Sequence, residues 1–116
     1  MKKRSLKEKW EDILFKLSSR FADGDKIGIE GVLFLIGVQE LGIGYKNFSK
    51  EEKQDILHVA LCTILEPFGY YNYEGVDYQG WPHFSIVKSL PILKRGEQTR
   101  LMKEAIVAYF ETHEIT

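Results

Sequence analysis

The chain has 116 residues, 44% of them apolar and 28% charged, with 16 Lys and Arg against 17 Asp and Glu. That length suits a single domain over residues 1–116, the apolar fraction excludes a disordered chain, and a net charge of −1 gives no overall attraction to polyanions or anionic lipid. One cysteine, Cys62, excludes a disulfide scaffold and a cysteine zinc site, and it points to a reducing compartment.

The opening MKKRSLKEKW is basic, and residues 1–4 read as a flexible tail. Glu11, Asp12 and Lys16 follow where a signal peptide would be uninterruptedly apolar, so a cytoplasmic protein is expected. From Leu6 to Phe21 apolar residues recur at steps of three and four: Leu6, Trp10, Ile13, Leu14, Leu17 and Phe21. That period predicts an amphipathic first helix over 5–22, with Ser5 and Glu8 at capping-box spacing and Asp23-Gly24-Asp25 as its stop.

A second helix is predicted over 26–41, with Asp25 as its cap and Glu30 near the positive end of the dipole. Between Val32 and Val38 it is apolar on nearly every side, so other elements must surround it. Glu30, Gln39 and Glu40 interrupt the apolar stretch, and no membrane span is expected. Ser49 and Glu52 repeat the capping-box spacing and open a third helix over 50–66, which Pro67 ends. A fourth runs over 96–112 with Leu101, Met102, Ala105, Ile106, Tyr109 and Phe110 on one side.

Between the last two helices, residues 68–90 differ in composition. Phe68, Tyr70, Tyr71, Tyr73, Tyr78, Trp81 and Phe84 crowd into one segment punctuated by Gly69, Gly75 and Gly80. It has no helical period. Extended runs at 70–74 and 83–88, joined by a long turn from Gly75 to Gly80, predict a β-hairpin with Pro82 at a strand start or on an exposed edge. The fold class is therefore mainly α: a compact bundle of four helices with an aromatic β-hairpin inserted between the third and fourth.

No motif names an activity. Asp23-Gly24-Asp25 resembles the start of a calcium loop, but Ile27 and Phe34 stand at its fifth and twelfth positions, where ligands belong. Asp55 and His58 share a helix face, yet a carboxylate-bridged di-iron site needs Glu-x-x-His twice; His58 is expected to bond Asp55, water or a carbonyl. His83 has no visible catalytic partner, Cys62 sits in an apolar helical setting that keeps a thiol inert, Ser85 lacks a glycine elbow, and His113 fits a C-terminal helix cap. No glycine-rich phosphate cradle is present, so no cofactor is expected.

The aromatic segment is the feature that needs a purpose. From Gln54 to Val87 there is no Lys or Arg, while Asp55, Glu66, Glu74 and Asp77 are acidic, the wrong sign for stacking on nucleic acid. The rings serve to close one end of the bundle, to bind a partner, or both, with one role for each face of the hairpin. The sequence thus supports a non-catalytic interaction or adaptor protein that meets another protein or its own copy, as a symmetric homodimer, through Tyr71, Tyr73, Tyr78, Trp81 and His83. Alternatives are a pocket for a small molecule or peptide between hairpin and helices, and nucleic-acid binding through Lys2, Lys3, Arg4, Lys7 and Lys9.

Overall fold

The first helix, α1, spans Leu6–Phe21 and opens as its spacing requires: the Ser5 hydroxyl accepts from the Glu8 N–H at 3.2 Å and donates to the Glu8 carboxylate at 3.1 Å. The computed structural model describes residues 4–22, 24, 26–44 and 46–115; the predicted Asp23 and Asp25 features and most of the basic tail lie outside these. Arg4 is engaged on α1, donating to the Glu8 carbonyl at 3.2 Å and standing 3.7 Å from Asp12.

Three further helices follow: α2 over Ile29–Leu41, α3 over Lys50–Leu65 and α4 over Arg95–Thr112, with β1 (Tyr71–Val76) and β2 (Pro82–Ile86) between α3 and α4. The mainly α architecture with an inserted hairpin is the one the sequence predicts. The second helix starts later than its apolar run suggested. Gly28 stands at the cap position, its carbonyl accepting the first helical bond from Val32 N–H at 3.1 Å. α3 carries the full capping box, Ser49 Oγ accepting from Glu52 N–H and the Glu52 carboxylate accepting from Ser49 N–H. His113 caps α4, with Nδ1–H donating to the Tyr109 carbonyl at 3.0 Å and its ring stacked on the Tyr109 ring. No helix among the described residues is long and apolar enough to cross a membrane.

The chain divides into two compact units. The first holds α1, the opening turn of α2 and α4. Within it α1 packs on α4: Trp10 and Leu17 are buried from one helix, Ala105, Ile106, Val107 and Tyr109 from the other. Two charged groups frame this packing, Lys9 pairing with Glu111 at 3.3 Å and Lys103 lying over the Trp10 ring at 5.6 Å.

The second unit runs from Leu33 to Ile92 and contains the rest of α2, α3 and the hairpin. Val38 of α2, Phe48 and Ile56 of α3 form a buried cluster, with Phe34 and Leu41 packed against it. Phe34 and Phe48 meet edge to face at 5.7 Å between ring centres, a favoured arrangement of their quadrupoles. The oily stretch of α2 is covered: Val32, Leu35, Ile36, Gly37 and Val38 are buried, and Leu33 and Phe34 half-buried. α3 buries Val59, Ala60, Cys62, Ile64 and Leu65 as well. Its last carbonyls are taken by the following turn, Leu65 accepting from Phe68 and Tyr70 N–H, which delivers the chain into β1 directly beside α3.

Candidate protein-interaction surface

The hairpin is built around Asp77. Its N–H donates to the Trp81 carbonyl at 2.9 Å and its carbonyl accepts from Gly80 N–H at 2.9 Å. Its Oδ1 accepts from Gln79 N–H at 2.9 Å and Trp81 N–H at 3.0 Å, and its Oδ2 accepts from His83 Nε2–H at 2.9 Å. This is a tight three-residue loop over Tyr78, Gln79 and Gly80, with Gly80 at the left-handed position (φ +82°). The expected long turn from Gly75 is thereby corrected. Gly75 sits inside β1 at φ +98°, where it accommodates a bulge that leaves one extra residue between Tyr73 and Gly75, and the strand continues to Val76.

The register then decides the faces. Tyr71 opposes Ile86, Tyr73 opposes Phe84 and Val76 opposes Pro82, so these six side chains share one face, and it is wholly apolar apart from the tyrosine hydroxyls. Asn72 opposes Ser85 and Gly75 opposes His83 on the other. There Glu74, the extra residue, accepts from Ser85 Oγ and from Asn72 Nδ2. The hairpin is amphipathic across its thickness.

The apolar face is only partly covered. Tyr71 is half-buried beside α3, where burial, and next the neighbouring Cys62, push its phenol pKa up. Away from α3 the face opens: Tyr73 is 51% exposed, Val76 61% and Ile86 71%. The Tyr73 and Phe84 rings lie 5.5 Å apart and support each other.

The five residues singled out from the sequence are therefore dispersed. Tyr71 and Tyr73 lie on the apolar face; Tyr78 is at the tip of the loop and almost fully exposed; Trp81 is half-buried where the loop enters β2; His83 is exposed on the polar face, held by Asp77. Val76 and Ile86, which complete the exposed apolar face, were missed because they are not aromatic. The signal was present in the alternation Pro82-x-Phe84-x-Ile86.

The remaining reactive groups are occupied. The Ser85 hydroxyl is bound to Glu74 and not to His83, so Ser85, His83 and Asp77 do not form a nucleophile chain. The His58 ring lies 3.7 Å from Cys62 Sγ, a contact not among the Asp55, water or carbonyl partners expected of it, and burial pushes the Cys62 thiol up to about 11. Among the described residues no three His, Cys, Asp or Glu side chains converge as a metal site would require.

Asp77 gives the hairpin an acid limit. The hydrogen bond from His83, then that from Trp81 N–H, holds its carboxyl below the ordinary value of 3.8. A depressed folded value stabilises above pH 3.8, and the contribution is lost as the pH falls through the folded value. The Trp81 fluorescence and the Gln79 and Trp81 amide resonances are expected to change together in that acid range, and the coupled step should vanish in Asp77→Asn. No family model, curated protein or solved structure matches the chain.

Proposed function

We propose that this is a non-catalytic interaction protein that binds another protein through the apolar face of its hairpin. The observation that carries the reading is the exposure of Tyr73, Val76 and Ile86 on one sheet face. A two-stranded hairpin is marginal on its own, and the support it receives from α3 comes mainly at β1. Retaining an uncovered apolar face on such an element is a cost that binding offsets, since aromatic and aliphatic side chains supply contact area at small entropic loss.

The test compares protein captured from the native cell by the wild-type chain, by a Val76→Ser, Ile86→Ser variant, and by Phe15→Ser. Phe15 is an equally exposed apolar residue on α1, so its variant controls for general stickiness. The expected result is a partner retained by the wild type and Phe15→Ser and lost by the hairpin variant, with unchanged helical circular dichroism in all three. Identical capture by all three contradicts the proposal.

A further inference from the structure

Among the described residues the sheet contains β1 and β2, so the β2 backbone has one side without a strand, and β1 is the strand that packs most on α3. Both the Trp81 carbonyl and the Val87 N–H point into the ladder, bonding Asp77 and Tyr70 respectively. Backbone groups alternate along a strand, so those of His83 and Ser85 also point inward and those of Pro82, Phe84 and Ile86 point to the open side. Proline has no N–H to lose there, which explains how Pro82 is tolerated.

Open edges are normally blunted by a lysine, a proline or a bulge. Here the bulge is in β1, Pro82 guards only the first position of β2, and Lys88 lies back over the Tyr70 ring at 4.7 Å. Phe84 and Ile86 lie between, unguarded, with one side chain between them on the polar face: Ser85, which carries the Glu74 carboxylate.

We infer that the occupant of the hairpin is an extended, basic segment of another protein, added as a third strand along the outer edge of β2; this rests on the hairpin being the binding surface. A strand in that place bonds the outward groups of Phe84 and Ile86. Its side chains opposite those two residues extend the apolar face, and the one opposite Ser85 emerges on the polar face. Two strand spacings, about 9.6 Å, separate it from β1, within reach of a Lys or Arg directed at Glu74. No Lys or Arg lies between Gln54 and Val87 to compete for Glu74 or Asp77. The Ser85 and Asn72 hydrogen bonds hold the Glu74 carboxyl below its ordinary value, so it is ionised at neutral pH. A second copy is the poorer occupant. Symmetric pairing of β2 with itself places Phe84 against Ile86 of the other copy and Ser85 against its own image, gathering two Glu74 carboxylates on one face with no cation.

The experiment selects binders from a randomised heptapeptide pool with the full chain and measures the best peptide against Ile86→Pro, Ile86→Ser and Glu74→Gln. Ile86→Pro removes the outward N–H while sparing a ladder bond; Ile86→Ser keeps the N–H and removes the apolar side chain. Expected are peptides alternating Lys or Arg with Val, Ile or Phe, slowed exchange at the Phe84 and Ile86 amides, and affinity lowered about tenfold or more by Ile86→Pro. Glu74→Gln should lower it about two- to fivefold, in line with an exposed ion pair. Hairpin-bound peptides with helical spacing that ignore Ile86→Pro overturn strand addition and leave the binding role standing. Peptides enriched in acidic residues, or concentration-dependent dimerisation through β2 in their absence, overturn the basic occupant. Selection of nothing that maps to the hairpin overturns both readings.

Discussion

Replacing Ile56 by alanine is expected to destabilise the protein by about 2–5 kcal/mol, read as a fall in the urea midpoint at unchanged slope. Ile56 is 1% exposed and lies between Val38 and Phe48, with Phe34 and Leu41 around them. Truncation removes buried methyl groups and leaves a cavity whose walls, two aromatic rings among them, collapse only in part. Against a total stability of about 5–15 kcal/mol for a domain this size, the loss is a large fraction. Phe15→Ala on α1, by contrast, should stay within about 0.5 kcal/mol, because Phe15 is already in water.

The second large effect runs against helix propensity. On an exposed helix, alanine in place of glycine gains about 1 kcal/mol. At Gly37 of α2 the sign reverses. A Cβ there would stand 2.4 Å from the Ile56 carbonyl oxygen and 2.6 Å from Ile56 Cγ2, so α2 and α3 touch at that point with no room for a methyl group. Gly37→Ala is expected to cost about 1–3 kcal/mol, the range for overpacking. Combining it with Ile56→Ala tests the geometry. The shorter side chain relieves the contact with Cγ2 but leaves the carbonyl oxygen in place, so Gly37→Ala should cost less in that background without becoming neutral. Strict additivity of the two changes would show that the close approach is absent.

The helices were legible because their signals are local. Ser5 with Glu8 and Ser49 with Glu52 set two helix starts within a residue, and Pro67 with the apolar period of α3 set its end. The all-round apolar character of Val32 to Val38 correctly required burial, since no single helix face accounts for it. The start of α2, with Gly28 as its cap residue, was not legible because a run of apolar residues reports burial and not the position at which a helix begins.

The hairpin was legible in kind but not in detail. Gly75 reads as a turn residue from its neighbours, and only the pairing of Tyr73 with Phe84 and Gly75 with His83 shows that it bends a strand. One extra residue at the bulge decides which side chains share a face, so Tyr73 and Val76, three apart, end on the same side. The aromatic count drew attention to Tyr78, Trp81 and His83, whereas the exposed face depends on the aliphatic Val76 and Ile86. Which rings a helix covers is a long-range property: Tyr71 is shielded because α3 leads directly into β1, a consequence of the turn after Leu65.

Solvent access to the hairpin in the isolated chain probes the heart of this account. With a soluble nitroxide added, proton relaxation at the side chains of Tyr73, Val76 and Ile86 should be enhanced nearly as strongly as at Tyr78, and far more than at Ile56 or Leu65. Protection of those three groups to the level of the buried isoleucines would mean the apolar face is already covered, and the binding surface assigned to it would not exist.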